Sequence, residues 1–286
     1  MATIVKLVQG SAEWHVHRLA HRNASETPAV LGLSPYTTPY QLWQQRTGRA
    51  TVEVTAAMAH GTATEPQARV MYETLTGNVM QPLVLVDGEY SASLDGITLD
   101  GDLVLEIKCP KSKDSGLLRE ARAGRVPIHV YWQVQHQLMV AGAKLAHVYV
   151  YDGKLGHLVE QPAEPECWDT IRQGWEAFDE YVRTDTPPPL SDGDTRQRED
   201  PAWAEAAAEY VRLKASAEAV AAELEAAKGR LVALAEHTSE QGCGVTVKRF
   251  LKAGSVDYKK VPELAGVDLE QYRGAAREEV RVTVAR

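Results

Sequence analysis

Residues 91–113 read SASLDGITLDGDLVLEIKCPKSK. A β-strand turns successive side chains to opposite faces, so in LVLEIK Leu103, Leu105 and Ile107 share one face while Glu106 and Lys108 share the other. Upstream, Ser91, Ser93 and Asp95 have one parity and Tyr90, Ala92 and Leu94 the other, with Gly96 and Gly101 bracketing a turn. Pairing of the two segments brings Asp95 towards Glu106 and Lys108. Two carboxylates so placed repel unless a cation lies between them. A hard divalent ion such as Mg²⁺ suits oxygen donors, lowers the pKa of a bound water and neutralises charge on a phosphoryl oxygen. Lys108 can then hold its ammonium against the attacking water or a scissile phosphate, which outlines phosphodiester hydrolysis. The D-x10-E-x-K spacing by itself fits equally an ordinary strand pair carrying an exposed Glu–Lys pair.

Outward from this segment, helical and strand patterns alternate. Short helices are predicted at Trp14–Ala20, Ser25–Leu31 and Thr38–Gln45. A helix over 64–76 is predicted to open on a Thr64/Gln67 capping box and stop at Gly77. Strands follow at Pro82–Val86, Tyr90–Leu94 and Asp102–Lys108. Next come a basic helix around Ser115–Ala123, a long helix from Pro127 to about Ala141, strands at His147–Tyr151 and Leu158–Gln161, and a helix from Pro165 to Val182. Helices flanking a set of strands indicate an α/β layer architecture.

TPPPLSDGDTRQREDP, residues 186–201, reads as a linker, stiff and then flexible, so the expected domains are 1–185 and 202–286. Beyond it, Trp203, Tyr210, Ala217, Leu224 and Leu231 are seven apart, and Ala206, Leu213, Val220, Ala227 and Leu234 follow each by three. This is a heptad seam, thin in its many alanines, open to folding back on its own domain or to an intermolecular coiled coil. Val245–Leu251 and Val280–Val284 alternate like strands, with a short helix around Glu270–Ala276 between them.

The 286 residues carry a net charge of −8, which argues against nucleic acid until its distribution is read. Residues 107–125 hold six bases against two acids. Potential is set locally and screened beyond about 10 Å, so such a stripe is compatible with tracking phosphates and equally with a solvated helix face. With 44% hydrophobic and 24% charged residues the composition is globular. No apolar run is long enough to span a membrane, and MATIVKLVQGSAEWH lacks a secretory pattern. Cys109, Cys167 and Cys243 are odd in number and scattered, which fits a thiol-reduced, cytoplasmic protein. His15, His17 and His21 lack zinc-ligand spacing, and Trp14 is expected to anchor a core.

The segment also resembles the PD-(D/E)xK nuclease core, with Leu94 where that pattern has proline. More narrowly, QGSAEWHVHRLAHRNASE (9–26), GTATEPQARVMYETLTG (61–77), ASLDG (92–96), LEIKCP (105–110) and YWQVQHQLMVAG (131–142) resemble, in order, the lambda-exonuclease and YqaJ-type viral recombinase family. The resemblance implies a mixed central sheet flanked by helices, with the long C-terminal helix and small β element as an appendage. It implies a metal held by Asp95, Glu106 and the Ile107 carbonyl, Lys108 assisting the water, and Glu65 near the metal's waters. Mg²⁺ is the implied cofactor, with Mn²⁺ a possible substitute. Arg18, Ser25, Ser93 and Gln133 would take a terminal 5′-phosphate. Gln137 shares a helix face with Gln133, Gln135 points elsewhere, and Lys111 and Lys113 are candidate contacts to the DNA backbone. The implied activity is a 5′-to-3′ exonuclease on double-stranded DNA ends, leaving 3′ single strands for phage-type recombination. The implied setting is a host-cell cytoplasm, a ring-shaped homo-oligomer and a single-strand annealing protein as partner. An endonuclease on the same core, or a catalytically silent DNA-binding or assembly module, are the rival readings.

Overall fold

A computed structural model describes residues 2–8, 10–251 and 267. The chain divides into two compact units, Met1–Thr195 and Arg196–Arg286. In the first, the order is β1 (Thr3–Val5), α1 (Ala12–Ala20), β2 (Arg22–Asn23), α2 (Thr27–Val30), α3 (Pro39–Arg46), α4 (Ala56–Thr76), β3 (Gln81–Asp87), β4 (Tyr90–Ile97), β5 (Leu103–Lys108), α5 (Gly116–Arg122), α6 (Ile128–Ala141), β6 (Leu145–Tyr151), β7 (Gly156–Pro162) and α7 (Trp168–Arg183). The described part of the second unit forms α8 (Pro201–Leu234), β8 (Ser239–Gly242) and β9 (Val245–Lys248).

The sheet is seven-stranded and mixed, in the order β1-β3-β4-β5-β6-β7 with β2 on β4. β5 and β6 are parallel, in register from Leu103↔Leu145 to Lys108↔Val150, and α5 and α6 make the crossover between them. Both faces are covered. On one, Val130, Val134 and Leu138 of α6 lie against Leu94, Val104 and Val148. On the other, Ala68 and Tyr72 of α4 pack with Leu105, Ile107 and Tyr149. Fully burying each of the α6 side chains contributes roughly 1.5–3 kcal/mol, which offsets the cost of carrying the buried polar triplet Gln135–His136–Gln137 into the interior.

Three expectations change. α4 begins at Ala56, capped by the Thr55 hydroxyl accepting from the Met58 amide at 3.2 Å, and runs through Pro66. Thr64 is therefore no cap; its hydroxyl donates to the His60 carbonyl at 2.8 Å, one turn back. The helix does stop at Gly77, whose φ of 74° suits the left-handed terminus. β4 runs on to Ile97, so Asp95 and Gly96 lie in the strand rather than at a turn, and the chain reverses at Thr98–Asp102. Gly96 is required by close approach: a Cβ there would stand 2.7 Å from Met80 Cβ and 3.3 Å from Leu105 Cβ. The strand over 245–251 ends at Lys248 and pairs with β8, while the elements expected at 270–276 and 280–284 lie outside the described residues. Within the stretch read as linker, Asp194 accepts from the Thr38 hydroxyl at 2.5 Å.

Candidate active site

β4 and β5 pair only at Gly96↔Leu105 and Ile97↔Val104. One step further the ladder has ended, and the Ile107 amide donates instead to Asp95 Oδ2 at 2.7 Å. A carboxylate thus satisfies a main-chain donor that the sheet leaves without a carbonyl. This holds Asp95 beside the backbone that carries Glu106.

Glu106 is 3% exposed and accepts three donors. Gln133 Nε2 reaches Oε1 at 2.8 Å, Gln137 Nε2 reaches Oε2 at 2.5 Å and Lys108 Nζ reaches Oε1 at 2.6 Å. The two glutamines sit one turn apart on α6, so a single helix face supplies both amides. Lys108 also donates to Gln133 Oε1 at 3.1 Å. Gln137 Oε1 is buried without a partner among the described residues. On α4, Glu65 takes Arg69 Nη2 on its Oε1 at 2.7 Å.

These carboxylates load one another. Burial, then the charges of Glu106 and Glu65, push the Asp95 carboxyl well above its usual range, against the pull of the Ile107 amide and Lys108. Burial also raises Glu65, opposed by Arg69 and reinforced by Glu106. Desolvation acts to lower Lys108, but Glu106, then Asp95 and Tyr36, outweigh it and leave the ammonium favoured. The Cys109 thiol is pushed up to about 12 by burial and by Glu65 and Asp95, so it is no nucleophile here. Hard oxygen donors held close at an energetic cost are the donor set a divalent cation stabilises. Among the described residues no three His, Cys, Asp or Glu side chains stand at chelating spacing; a cation would have to draw Glu106 Oε1 away from Lys108.

A second cluster gathers around α1. Arg18 Nη1 donates to Ser25 Oγ at 3.1 Å, Nη2 pairs with Glu26 at 2.7 Å, and the guanidinium lies 4.7 Å over the Trp14 ring. Trp14 Nε1 donates to Ser93 Oγ at 3.1 Å. Trp14 is partly buried and ties α1 to β4 instead of anchoring a core. Arg18, Ser25 and Ser93 thus come together, and Ser93 lies two residues before Asp95 on one strand. Gln133 sits at the other end of the arrangement, on Glu106 and Lys108. His17 Nε2 lies 2.9 Å from Ser91 Oγ and stacks on His21 at 4.1 Å, an internal packing role. Gln135 points away from the Gln133 face, as expected, and is bonded to the Pro162 carbonyl, the Glu164 amide and Trp168.

Lys108, Ile107 and Glu65 line a groove of about 1440 Å³. That exceeds the few hundred to 1,000 Å³ of ordinary small-molecule sites and has room for a polymer strand. Lys111 and Arg119 line it as well, whereas Lys113 is exposed in the same loop outside its lining. Arg122 and Arg125 are engaged with Asp152 and Glu120.

Sequence reading missed Tyr36 and His129, whose rings meet edge-on at 5.6 Å on the groove wall. His129 was accessible in principle, lying one turn before Gln133 and two before Gln137. It also missed Glu26, which accepts Arg46 as well as Arg18. No local pattern announces that pair, because Arg46 lies twenty residues away in sequence.

Residues 13–144 match the model of the YqaJ-like viral recombinase domain. The chain is 26% identical over 144 residues to the Bacillus subtilis (strain 168) uncharacterized protein YqaJ, an alignment covering 48% of this chain and 44% of that protein. This chain therefore spans less than half the length of that curated relative. An alkaline exonuclease of Laribacter hongkongensis, LHK-Exo, superposes with a TM-score of 0.53 at 22% identity, covering 62% of this chain and 94% of that one. The complex of LHK-Exo with dAMP gives the same TM-score and coverage at 23% identity.

Proposed function

We propose that this chain, which carries a YqaJ-like viral recombinase domain on an alkaline-exonuclease fold, is a divalent-metal-dependent DNA exonuclease acting from the 5′ ends of duplexes. The observation that carries the reading is the meeting of Asp95, Glu106 and Lys108 where β4 and β5 part, beside a groove of about 1440 Å³. Asp95, Glu106 and the Ile107 carbonyl would hold the cation, with Glu65 binding its waters. Bound there, Mg²⁺, or Mn²⁺ in its place, would acidify a water and neutralise charge on the scissile phosphate.

The protein's own groups do the rest. Gln133 and Gln137 hold the Glu106 carboxylate in place from α6. Lys108 stands beside it, still charged, where its ammonium can hold a phosphate oxygen or orient the water. Arg18 and Ser25, with Ser93 across α1, offer a guanidinium fork and hydroxyls to a terminal 5′-phosphate. Lys111 at the groove, with Lys113 nearby, would meet further phosphates, contacts that position DNA without reading its bases. The products would be nucleotides and a 3′ single strand for an annealing protein, with the nuclease units in a ring.

The test compares three substrates in Mg²⁺: a 5′-phosphorylated linear duplex, its 3′-end-labelled counterpart and a covalently closed circle. The expected result is loss of the 5′-terminated strand, release of the 3′ label only at the end of digestion, and an intact circle. Rapid nicking of the circle would assign an endonuclease. No hydrolysis in Mg²⁺ or Mn²⁺ would leave a DNA-binding module.

A further inference from the structure

Arg18 and Ser25 stand in the pocket read above as taking a terminal 5′-phosphate, yet the residue after Ser25 is an acid. Glu26 Oε1 accepts Arg18 Nη2 at 2.7 Å, on the same guanidinium whose Nη1 holds Ser25 Oγ at 3.1 Å. The carboxylate fixes the arginine, but a negative charge this close to an anion site also repels the anion, and more so as water is excluded.

Arg46 removes that repulsion. Its Nη2 bonds Glu26 Oε2, the oxygen that Arg18 leaves, and also donates to the His21 carbonyl at 2.7 Å. The Arg46 guanidinium lies 5.0 Å over the Trp175 ring, and its side chain is 9% exposed. Asn23 Nδ2 adds a donor to Glu26 Oε2 at 3.2 Å and ties down the Arg18 carbonyl at 2.7 Å. Arg46 comes from the last turn of α3, whose Leu42 and Trp43 share a buried cluster with Ile171 and Trp175 of α7. The core therefore fixes Arg46, Arg46 fixes Glu26, and Glu26 fixes Arg18. Two guanidiniums and one carboxylate leave a single positive charge, offered at Arg18, the more exposed of the two arginines. Two of its five N–H groups are engaged by Ser25 and Glu26, and others remain for phosphate oxygens. Held by Glu26 and stacked on Trp14, the side chain has already lost its rotamer freedom before a ligand arrives.

We infer that Glu26 and Arg46 are positioning residues of the 5′-end pocket: Glu26 aims the Arg18 guanidinium at a terminal phosphate monoester, and Arg46 cancels the charge of Glu26 so that the pocket attracts that anion. This rests on the reading of Arg18, Ser25 and Ser93 as a phosphate pocket and deepens it. A terminal monoester carries about −1.5 to −2 at pH 7 and gains more from such a fork than an internal diester with one charge.

The test measures kcat and KM of the full chain in Mg²⁺ on duplex ends bearing a 5′-phosphate or a 5′-hydroxyl. Both ends are run on one preparation, so their ratio does not depend on the fraction folded. Arg46→Gln keeps a donor for the His21 carbonyl but leaves the charge of Glu26 uncancelled. Its KM for the phosphorylated end should rise about tenfold with kcat unchanged, the hydroxyl end should shift by less than about twofold, and the difference should shrink as salt is raised. Adding Glu26→Gln to Arg46→Gln should bring KM back to within about threefold of the unsubstituted chain, because the repelling charge is gone; damage to packing alone would deepen with the second change. Arg46→Lys, which keeps the charge without the fork, should hold the preference for a phosphate within about twofold whatever its melting temperature. An unsubstituted chain that digests both ends alike, or whose preference survives Arg18→Ala, ends the phosphate-pocket reading and this inference with it. A preference that depends on Arg18 but is untouched by Arg46→Gln, is not restored by Glu26→Gln, or is lost equally in Arg46→Lys overturns the inference alone.

Discussion

Glu106→Gln separates the chemistry of the site from the stability of the fold. The carboxylate accepts Gln133, Gln137 and Lys108, and removing one partner of a buried charge network ordinarily costs about 3–5 kcal/mol. Here the loss is offset twice. The new amide oxygen keeps Gln133 and Lys108, while its N–H₂ meets Gln137, whose Oε1 is buried without a partner among the described residues. Rotating the Gln137 amide turns that oxygen towards the new donor and repairs the third bond. The substitution also removes the negative charge that raises Asp95 and Glu65. The expected change in stability without metal is therefore within about 1 kcal/mol, near the scale of one neutral hydrogen bond. The metal response should vanish instead. A cation at a hundred times its dissociation constant stabilises the folded state by about 2.7 kcal/mol, worth roughly 5–10 °C in melting temperature for a unit of this size. Loss of several kcal/mol of transition-state stabilisation corresponds to a fall in rate of about 10²–10⁴. Differential scanning fluorimetry with and without Mn²⁺, beside a duplex-end digestion assay, reads both. Undiminished hydrolysis, or a variant that keeps the metal-induced shift, would refute the assignment. A large loss of metal-free stability would show that Glu106 serves the core instead.

Arg18→Ala should slow digestion of a 5′-phosphorylated end about 10-fold or more while leaving a 5′-hydroxyl end little changed, so the measured ratio between the two substrates falls towards one. Gly96→Ala should destabilise by about 1–3 kcal/mol in urea unfolding, because the Met80 and Leu105 Cβ atoms it meets are fixed to the backbone and cannot rotate away. His136 is fully buried, takes the Thr27 hydroxyl at 2.6 Å and has its pKa lowered to about 3 by burial. Between about pH 6.5 and 3 the unfolded chain binds a proton there that the folded one refuses. Its contribution to stability is therefore complete above pH 6.5 and falls by up to about 1.4 kcal/mol per unit below it, and His136→Gln should flatten the pH dependence of urea unfolding by that share.

Much of the site was legible locally. Period-two alternation separates Glu106 and Lys108 from Leu105 and Ile107, and the structure keeps that division, with Glu106 under α6 and Leu105 and Ile107 under α4. Helical spacing likewise places Gln133 and Gln137 on one face. What escaped were contacts between segments far apart in sequence: Glu26 with Arg46, Trp14 with Ser93, and Tyr36 with His129. The start of α4 escaped for a different reason. Pro66 and a plausible cap at Thr64 both signal a helix start, yet the Thr55 cap and packing of Ala68 and Tyr72 sustain a longer helix through the proline.

Residue order alone sufficed to specify the strands β3, β5, β6 and β7, the helix faces and the acidic and basic groups offered for chemistry, since each of these follows from local periodicity and side-chain type. It could not specify that β4 and β5 pair only at Gly96 and Ile97, that the Asp95 carboxylate takes the Ile107 amide beside them, or that α6 sets two amides on Glu106 alongside Lys108. Those are decided by where the sheet ends its ladder and how a helix lies across it, and both depend on packing among segments tens of residues apart. Charge, burial and hydrogen bonding become one site only once that packing has excluded water.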